Sequence, residues 1–375
     1  LTTGAHFYYA GSVKSISSDR WQIQHLGINN RTRPDVDIKK QMKRVLIISA
    51  AFIILVLCGL GVFILNLRHY AEQPAGLEPN NVLIDIPAGQ PFKNTAQALF
   101  KQNLIKSPFK FNLVARLKGY DKRLKAGEYA LSATMTPVQI MEKLVKGQVV
   151  LYKLTVPEGF NIYQIADLVA QAGFAEKSAF IKAATNADLA RENNIPAETF
   201  EGYLFPETYY FPKTVRVETI LSTMVKRFWK VFTAAWKERA NQLGFSVHQI
   251  VTLASIIEKE TGAPFERPLI SSVFHNRLKR KMRLESDPTV IYGLKNFDGN
   301  LKREHLEMLT PYNTYKIMGL PVGPIANPGE KSLEAALYPA DTKFIYFVSK
   351  KDQTHQFSTN LKDHNQAVQK YQLRR

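Results

Sequence analysis

Residues 45–65, VLIISAAFIILVLCGLGVFIL, run for 21 positions without a charged side chain. At 1.5 Å per residue a helix of this length spans about 31 Å, the thickness of a bilayer's hydrocarbon core. A soluble core helix so long ordinarily carries a polar face, and this one has none. A cleaved signal sequence has a shorter apolar core and a small-x-small cleavage site, which is not evident here. The segment is therefore read as an uncleaved transmembrane helix. Lys39, Lys40, Lys43 and Arg44 crowd its upstream edge, whereas after Arg68 no Lys or Arg occurs until Lys93. By the positive-inside rule the N-terminus is cytoplasmic, and everything after about residue 66 lies on the periplasmic, extracytoplasmic side. The expected location is the cytoplasmic (inner) membrane, crossed once. Residues 1–44 read as a cytoplasmic tail. Met42-Lys43-Arg44 has the look of a natural start, so residues 1–41 are either native tail or an over-extended beginning.

The chain of 375 residues, 45% of them hydrophobic, is long enough for two or more domains with real cores. Fifty Lys+Arg against 32 Asp+Glu give a net charge of +18, which favours an anionic partner or a lipid surface. Nucleic acid is not expected, because no zinc-finger spacing, RNA-binding aromatic signature or phosphate loop occurs. The single cysteine, Cys58, lies within the apolar run and excludes an intrachain disulfide or a cysteine metal cluster.

After a Pro- and Gly-containing linker (66–80), two segments resemble each other, LIDIPAGQPFKNTAQAL (83–99) and KLTVPEGFNIYQIADLV (153–169). Each reads as a short strand, a Pro-x-Gly turn and an amphipathic helix, with Ala96 and Ala166 in equivalent places. Between them a helix is expected over 107–118, a strand over Lys125–Leu131, and a helix after Thr136-Pro137, where Thr136 caps and Pro137 fits the first turn. Residues 81–150 thus form a small α+β module. Its strand-helix-helix-strand order is similar to a LysM-type wall-binding module, and it reads equally as a packing module. Beyond residue 150 longer helices alternate with conspicuous loops. Apolar and basic positions recur at helical spacing over Val217–Leu243, where Met224, Phe228, Val231, Phe232, Ala235 and Trp236 are expected to line a core.

The segment LASIIEKETG (253–262) follows a capping Ser246 and is stopped by Gly262 and Pro264. Ile250, Leu253, Ala254 and Ile257 make one apolar stripe. Glu258 and Glu260 fall on opposite flanks of it, about 160° apart, so the two cannot enter one cleft. A carboxylate in the last turn opposes the helix dipole, and partial burial raises its pKa further, which is the state a general acid needs. The wheel leaves open which glutamate this is, and two surface glutamates flanking a lysine fit the stretch as well. Four runs rich in Tyr, Asn, Ser, Thr, Gly and Pro accompany it: GYLFPETYYF (202–211), ESDPTVIYG (285–293), TPYNTYKIMGLPVGPIANPG (310–329) and HQFSTNLKDHN (355–365). Aromatic faces and short polar groups on rigid loops suit sugar recognition.

ASIIEKET, RLESDPTVIYG, PYNTY, GLPVGPIANPG, EGYLFPETY and HQFSTNLKDHN together resemble the signature stretches of the endolytic murein transglycosylase family, MltG/YceG-like, in order and spacing. The likeness runs over residues 42–372, with Val322 standing where the family often has proline. It implies an α+β protein with a single N-terminal transmembrane helix (45–65), a small LysM-like module (81–150) and a mixed α+β catalytic domain (151–375). It also implies that Glu260 is catalytic. On the family's motifs, sugar contacts are expected from Tyr203, Glu207, Ser286, Asp287, Thr289, Tyr292, Tyr312, Asn313, Tyr315, Asn327, His355 and His364. No cofactor is expected, and no metal, since no His-x-x-His or His-Glu-x-x-His pattern occurs. The implied reaction cuts the MurNAc-β-1,4-GlcNAc bond of peptidoglycan glycan strands without water, leaving 1,6-anhydro-MurNAc ends and terminating nascent strands. The implied partners are those glycan strands, the cytoplasmic membrane and cell-wall synthases. Rival readings are a non-catalytic wall-binding scaffold, a glycan hydrolase, and an envelope nucleic-acid or lipid receptor.

Overall fold

A computed structural model describes residues 35–295 and 297–373. Residues 1–34, and with them most of the tail, lie outside the described residues. The first helix, α1 (Asp35–Glu72), is long and apolar enough to cross a membrane, and Val45–Leu65 are exposed along its whole length. It continues seven residues beyond Leu65 into the expected linker, because no helix breaker occurs before Pro74. The chain divides at Arg68, and residues 69–375 form one compact unit.

That unit begins with β1 (Asn81–Ile86), α2 (Phe92–Lys101), α3 (Pro108–Leu117), β2 (Gly127–Ser132) and α4 (Pro137–Lys146). Strands β1 and β2 pair antiparallel, with Leu83 opposite Ala130 and Ile86 opposite Gly127. Their inner residues Ile84, Ile86, Tyr129 and Leu131 are buried, as are Phe92, Ala96 and Leu99 of α2 and Phe111 of α3. Phe92 and Phe111 stack at 5.4 Å. Thr136 and Gln139 close a capping box on α4, with Pro137 in the first turn as the sequence indicates.

The repeated pattern recurs in β3 (Tyr152–Thr155) and α5 (Ile162–Gln171), with Ala166 as fully buried as Ala96. There follow α6 (Lys177–Ala184), α7 (Ala187–Glu192) and β4 (Thr208–Phe211), which pairs antiparallel with β3. The stretch 217–243 forms two helices, α8 (Val217–Val231) and α9 (Ala234–Gln242), because the Thr233 side chain caps a new helix by accepting from the Trp236 amide. Met224, Phe228 and Phe232 are core residues as expected, but the break turns Ala235 to solvent and leaves Val231 and Trp236 half-buried.

Helix α10 (Val247–Glu260) is the pillar of the domain. The sequence indicates a single apolar stripe, yet every residue from Ile250 to Ile257 is buried. Its polar members are satisfied internally: Thr252 donates to the His248 carbonyl at 2.8 Å, and Ser255 donates to the Thr252 carbonyl and accepts from the Ile325 amide. Around it stand α11 (Arg267–Lys279), α12 (Asp287–Gly293), the short α13 (Arg303–Glu307) and α14 (Glu330–Leu337). The antiparallel hairpin of β5 (Tyr346–Ser349) and β6 (His355–Ser358), then α15 (Leu361–Val368), complete the domain.

Candidate active site

The last turn of α10 separates its two glutamates as the helical wheel requires. Glu258 turns toward α11 and α14, where it accepts from the Gly329 amide at 2.9 Å and from Arg267 at 3.4 Å. Arg267 also reaches Ser332 at 3.1 Å, so Glu258 is a fastening between three segments. Glu260 turns the other way, toward α12, and accepts from the Ser286 hydroxyl at 2.6 Å. It stays partly open to solvent while protein surrounds the rest of it. Burial pushes its pKa up to about 7; the Ser286 hydrogen bond and the Arg277 charge pull it down, and the charge of Asp287 pushes it up.

Ser286 stands at the N-cap of α12, yet its side chain makes no capping bond. Its hydroxyl proton goes to Glu260 instead. Buried Thr289 and Thr314 hold it in place: Thr289 donates to the Ser286 carbonyl at 2.6 Å, and the Ser286 amide donates to the Thr314 hydroxyl at 3.0 Å. The exposed Asp287 accepts from the Tyr315 phenol at 2.7 Å. Tyr315 is itself set by Asn313, whose side chain accepts from the Tyr315 amide and donates to the Leu306 and Met308 carbonyls. Glu260, Ser286, Asp287 and Tyr315 thus form one connected group, with Thr289 and Asn313 buried beneath it. Arg277 was not expected. It is buried, donates to the carbonyls of Arg283, Leu284 and Ile345 and to Glu285, and so fixes the turn leading into Ser286.

A second group centres on Glu201, also missed by sequence reasoning, although a lone acid within the apolar run TFEGYLF is a signal of burial. Glu201 is 2% exposed and accepts from the Tyr292 hydroxyl at 2.8 Å, the Asn327 amide at 3.0 Å and the Ile162 backbone at 3.2 Å. Burial pushes its pKa up to about 7 against these donors and the Gly202 amide. Asn327 further donates to the Phe160 carbonyl and accepts from the Leu204 amide, pinning the Pro-rich loop to the start of α5. Tyr292 packs edge-on against Tyr312, with ring centres 4.8 Å apart.

The other expected contacts lie elsewhere. Tyr203 is fully buried against Phe228 and Trp229, and its hydroxyl meets His248 at 3.1 Å near the opposite end of α10. Glu207 pairs with Arg227. His355 is gripped by buried Glu266 through its amide at 3.0 Å and its Nδ1 at 2.7 Å. His364 stacks on Tyr346 at 4.9 Å, and burial lowers its pKa. Tyr203, Thr289, Asn313 and Asn327 are fully buried and bonded within the protein. Their place is behind the surface a ligand would touch.

A cavity of about 750 Å³ adjoins the first group, lined by Asn161, Tyr163, Gln164, Lys259, Pro288 and Tyr292 among others. Glu260 is not among the lining residues, but its neighbour Lys259 and Pro288, two residues after Ser286, are. Beyond Glu260 the helix stops, and Gly262 lies so close to the β5–β6 turn that a Cβ there would come within 2.6 Å of the Gln353 carbonyl oxygen.

Residues 84–370 match the YceG-like family. The chain is 36% identical over 307 residues to a Bacillus subtilis (strain 168) protein named endolytic murein transglycosylase, covering 77% of this chain and 84% of that protein. A Streptococcus pneumoniae serotype 2 protein of the same name is 29% identical over 321 residues, which is 76% of this chain and 58% of the relative. A crystal structure of a YceG-like protein from Listeria monocytogenes, 35% identical, superposes with a TM-score of 0.53 over 77% of this chain and 99% of that one.

Proposed function

The chain belongs to the YceG-like family, and on that premise we propose that it is an endolytic lytic transglycosylase that cuts the MurNAc-β-1,4-GlcNAc bond of peptidoglycan and leaves 1,6-anhydro-MurNAc ends. The observation that carries this reading is Glu260, a carboxyl with a pKa raised to about 7 at the end of a buried helix and bonded to a single hydroxyl. Protonated, Glu260 donates to the glycosidic oxygen as that bond breaks through an oxocarbenium-like state. The carboxylate so formed then takes the proton of the muramic C6 hydroxyl as that oxygen closes on C1. A nucleophile already attached to the sugar has a high effective concentration, so neither an activated water nor an enzyme nucleophile is required. In this reading Ser286 orients the acid. Asp287, Tyr292, Tyr312 and Tyr315 are the sugar contacts, and Tyr203, Thr289, Asn313 and Asn327 hold the loops that carry them. His355, His364 and Glu207 bear on the glycan at most from outside these two groups.

Around this chemistry the proposal includes an N-terminal anchor in the cytoplasmic membrane, with the catalytic domain on the extracytoplasmic side. The module over 81–150 is LysM-like and holds glycan, and the cut ends nascent strands beside their synthases. The strand-helix-helix-strand order of that module and the exposed apolar helix support these parts.

A hydrolytic reading has one observation in its favour: Asp287 lies near enough for its charge to raise the pKa of Glu260. A hydrolase needs a second carboxylate to serve as base or nucleophile. Incubating the detergent-solubilised full chain with intact sacculi and analysing the products by mass spectrometry separates the readings. The expected outcome is anhydro ends for the parent and a loss of at least about a hundredfold for Glu260→Gln. Reducing ends would instead establish hydrolysis, and undiminished release by Glu260→Gln would remove Glu260 from the mechanism.

A further inference from the structure

The mechanism gives Tyr292 and Asn327 a part in sugar binding but leaves Glu201 and the adjoining cavity of about 750 Å³ without a task. Their hydrogen-bond polarity is fixed from behind. Tyr292 lines the cavity, and with Glu201 ionised its hydroxyl proton is committed to that carboxylate at 2.8 Å, so toward a ligand this oxygen accepts. Asn161 and Gln164 line it too, and they form the capping box of α5. The Asn161 oxygen accepts from the Gln164 amide at 2.9 Å, and the Gln164 oxygen accepts from the Asn161 amide at 3.0 Å. Both side-chain oxygens are thereby occupied, while neither NH₂ group has a hydrogen-bond partner among the described residues, so toward a ligand these two side chains can only donate. Tyr163, 48% exposed, adds an aromatic face.

An acetamido group offers what this arrangement lacks, a carbonyl for the two donors and an N–H for the one acceptor, on a pyranose with an apolar face for the tyrosine. We propose that this cavity is a subsite for an N-acetylated amino sugar, read by Asn161, Gln164 and Tyr292, and that Glu201 is the positioning residue that locks the Tyr292 hydroxyl as an acceptor. The choice of a sugar as ligand rests on the glycan-cutting reading above. The recognition polarity rests on the cavity alone.

Two neutral tetrasaccharides test it, chitotetraose, with acetamido groups, and cellotetraose, with hydroxyls in their place. Their binding to the detergent-solubilised full-length Glu260→Gln protein is measured by titration calorimetry. Chitotetraose is expected to bind about tenfold more tightly, the worth of one or two net hydrogen bonds. Asn161→Asp and Gln164→Glu keep the capping oxygens and remove the donors. Each is expected to abolish most of that preference with no fall in Tm. Tyr292→Phe removes the acceptor and is expected to do the same. Glu201→Gln presents an NH₂ to Tyr292 and is expected to shift the preference, and Glu201→Asp to restore part of it. Equal binding of the two sugars, no binding of chitotetraose, or a preference unchanged by the substitutions overturns the assignment. Glu260-dependent cutting of sacculi with equal binding would remove the subsite and leave the activity standing. A sugar preference without any cutting would do the reverse.

Discussion

At the scale of single residues, Glu258 and Glu260 show how two like side chains, two positions apart, acquire opposite duties. Glu258 is nearly buried in a pairing with Arg267 and the Gly329 amide, so Glu258→Gln leaves the guanidinium with only the half-exposed Glu158, 3.8 Å away, as counter-charge. A loss of about 2–4 kcal/mol is expected from thermal or denaturant unfolding. Glu260→Gln behaves in the other sense. The folded-state pKa of about 7 lies above the ordinary value of 4.5, so the native state binds more protons than the unfolded chain between those pH values. The group's stabilising contribution is complete below pH 4.5 and is lost as pH rises through about 7. The neutral amide should therefore match the parent at pH 4.5 and exceed it at pH 8 by about 1–3 kcal/mol, read from Tm at the two pH values. Periodicity alone made the opposite orientation of the two glutamates legible. What holds each of them was not, because that depends on Arg267, Arg277 and Ser286, which come from other segments. Glu201 escaped notice for the same reason, since three of its donors, Ile162, Tyr292 and Asn327, are contributed by distant parts of the chain.

Among the secondary-structure elements, α12 departs most usefully from local rules. Its N-cap serine withholds the usual capping bond and donates to Glu260, an instance of local stability exchanged for a placed proton. Because that bond lowers the pKa of Glu260, Ser286→Ala is expected to raise it, moving the alkaline limb of kcat/KM upward in pH, while loss of the bond that orients the acid lowers the plateau rate. An unmoved limb in a pH–rate profile would mean that the serine only shapes the helix. Elements whose signals are local were legible to within two or three residues: the capping residues Thr136 of α4 and Ser246 of α10, the Pro-x-Gly turns, and the strand-turn-helix repeat. The division of 217–243 was not, since a single Thr233 outweighs a continuous apolar period. The all-round burial of α10 was also hidden, because Thr252 and Ser255 read as a polar face until their backbone partners are known.

For the molecule as a whole, the proposed orientation rests on the basic cluster before Val45, and on it protease added outside spheroplasts is expected to digest residues beyond about 70 while sparing an N-terminal tag. Digestion of the tag alone would reverse the topology. The membrane helix was the plainest feature of the sequence because its signal is compositional. The arrangement of the loops about Glu260 was the least plain, being fixed by hydrogen bonds between positions up to 167 apart. The contact between Gly262 and Gln353 carries this reach furthest. About ninety residues of chain separate the acid from the hairpin that backs its turn, and all of them are synthesised after the glutamate. On the proposed reading of Glu260 as the acid, a chain cut short before Gln353 holds that glutamate without the buttress behind it, so competence to cut is expected only once the hairpin has been made.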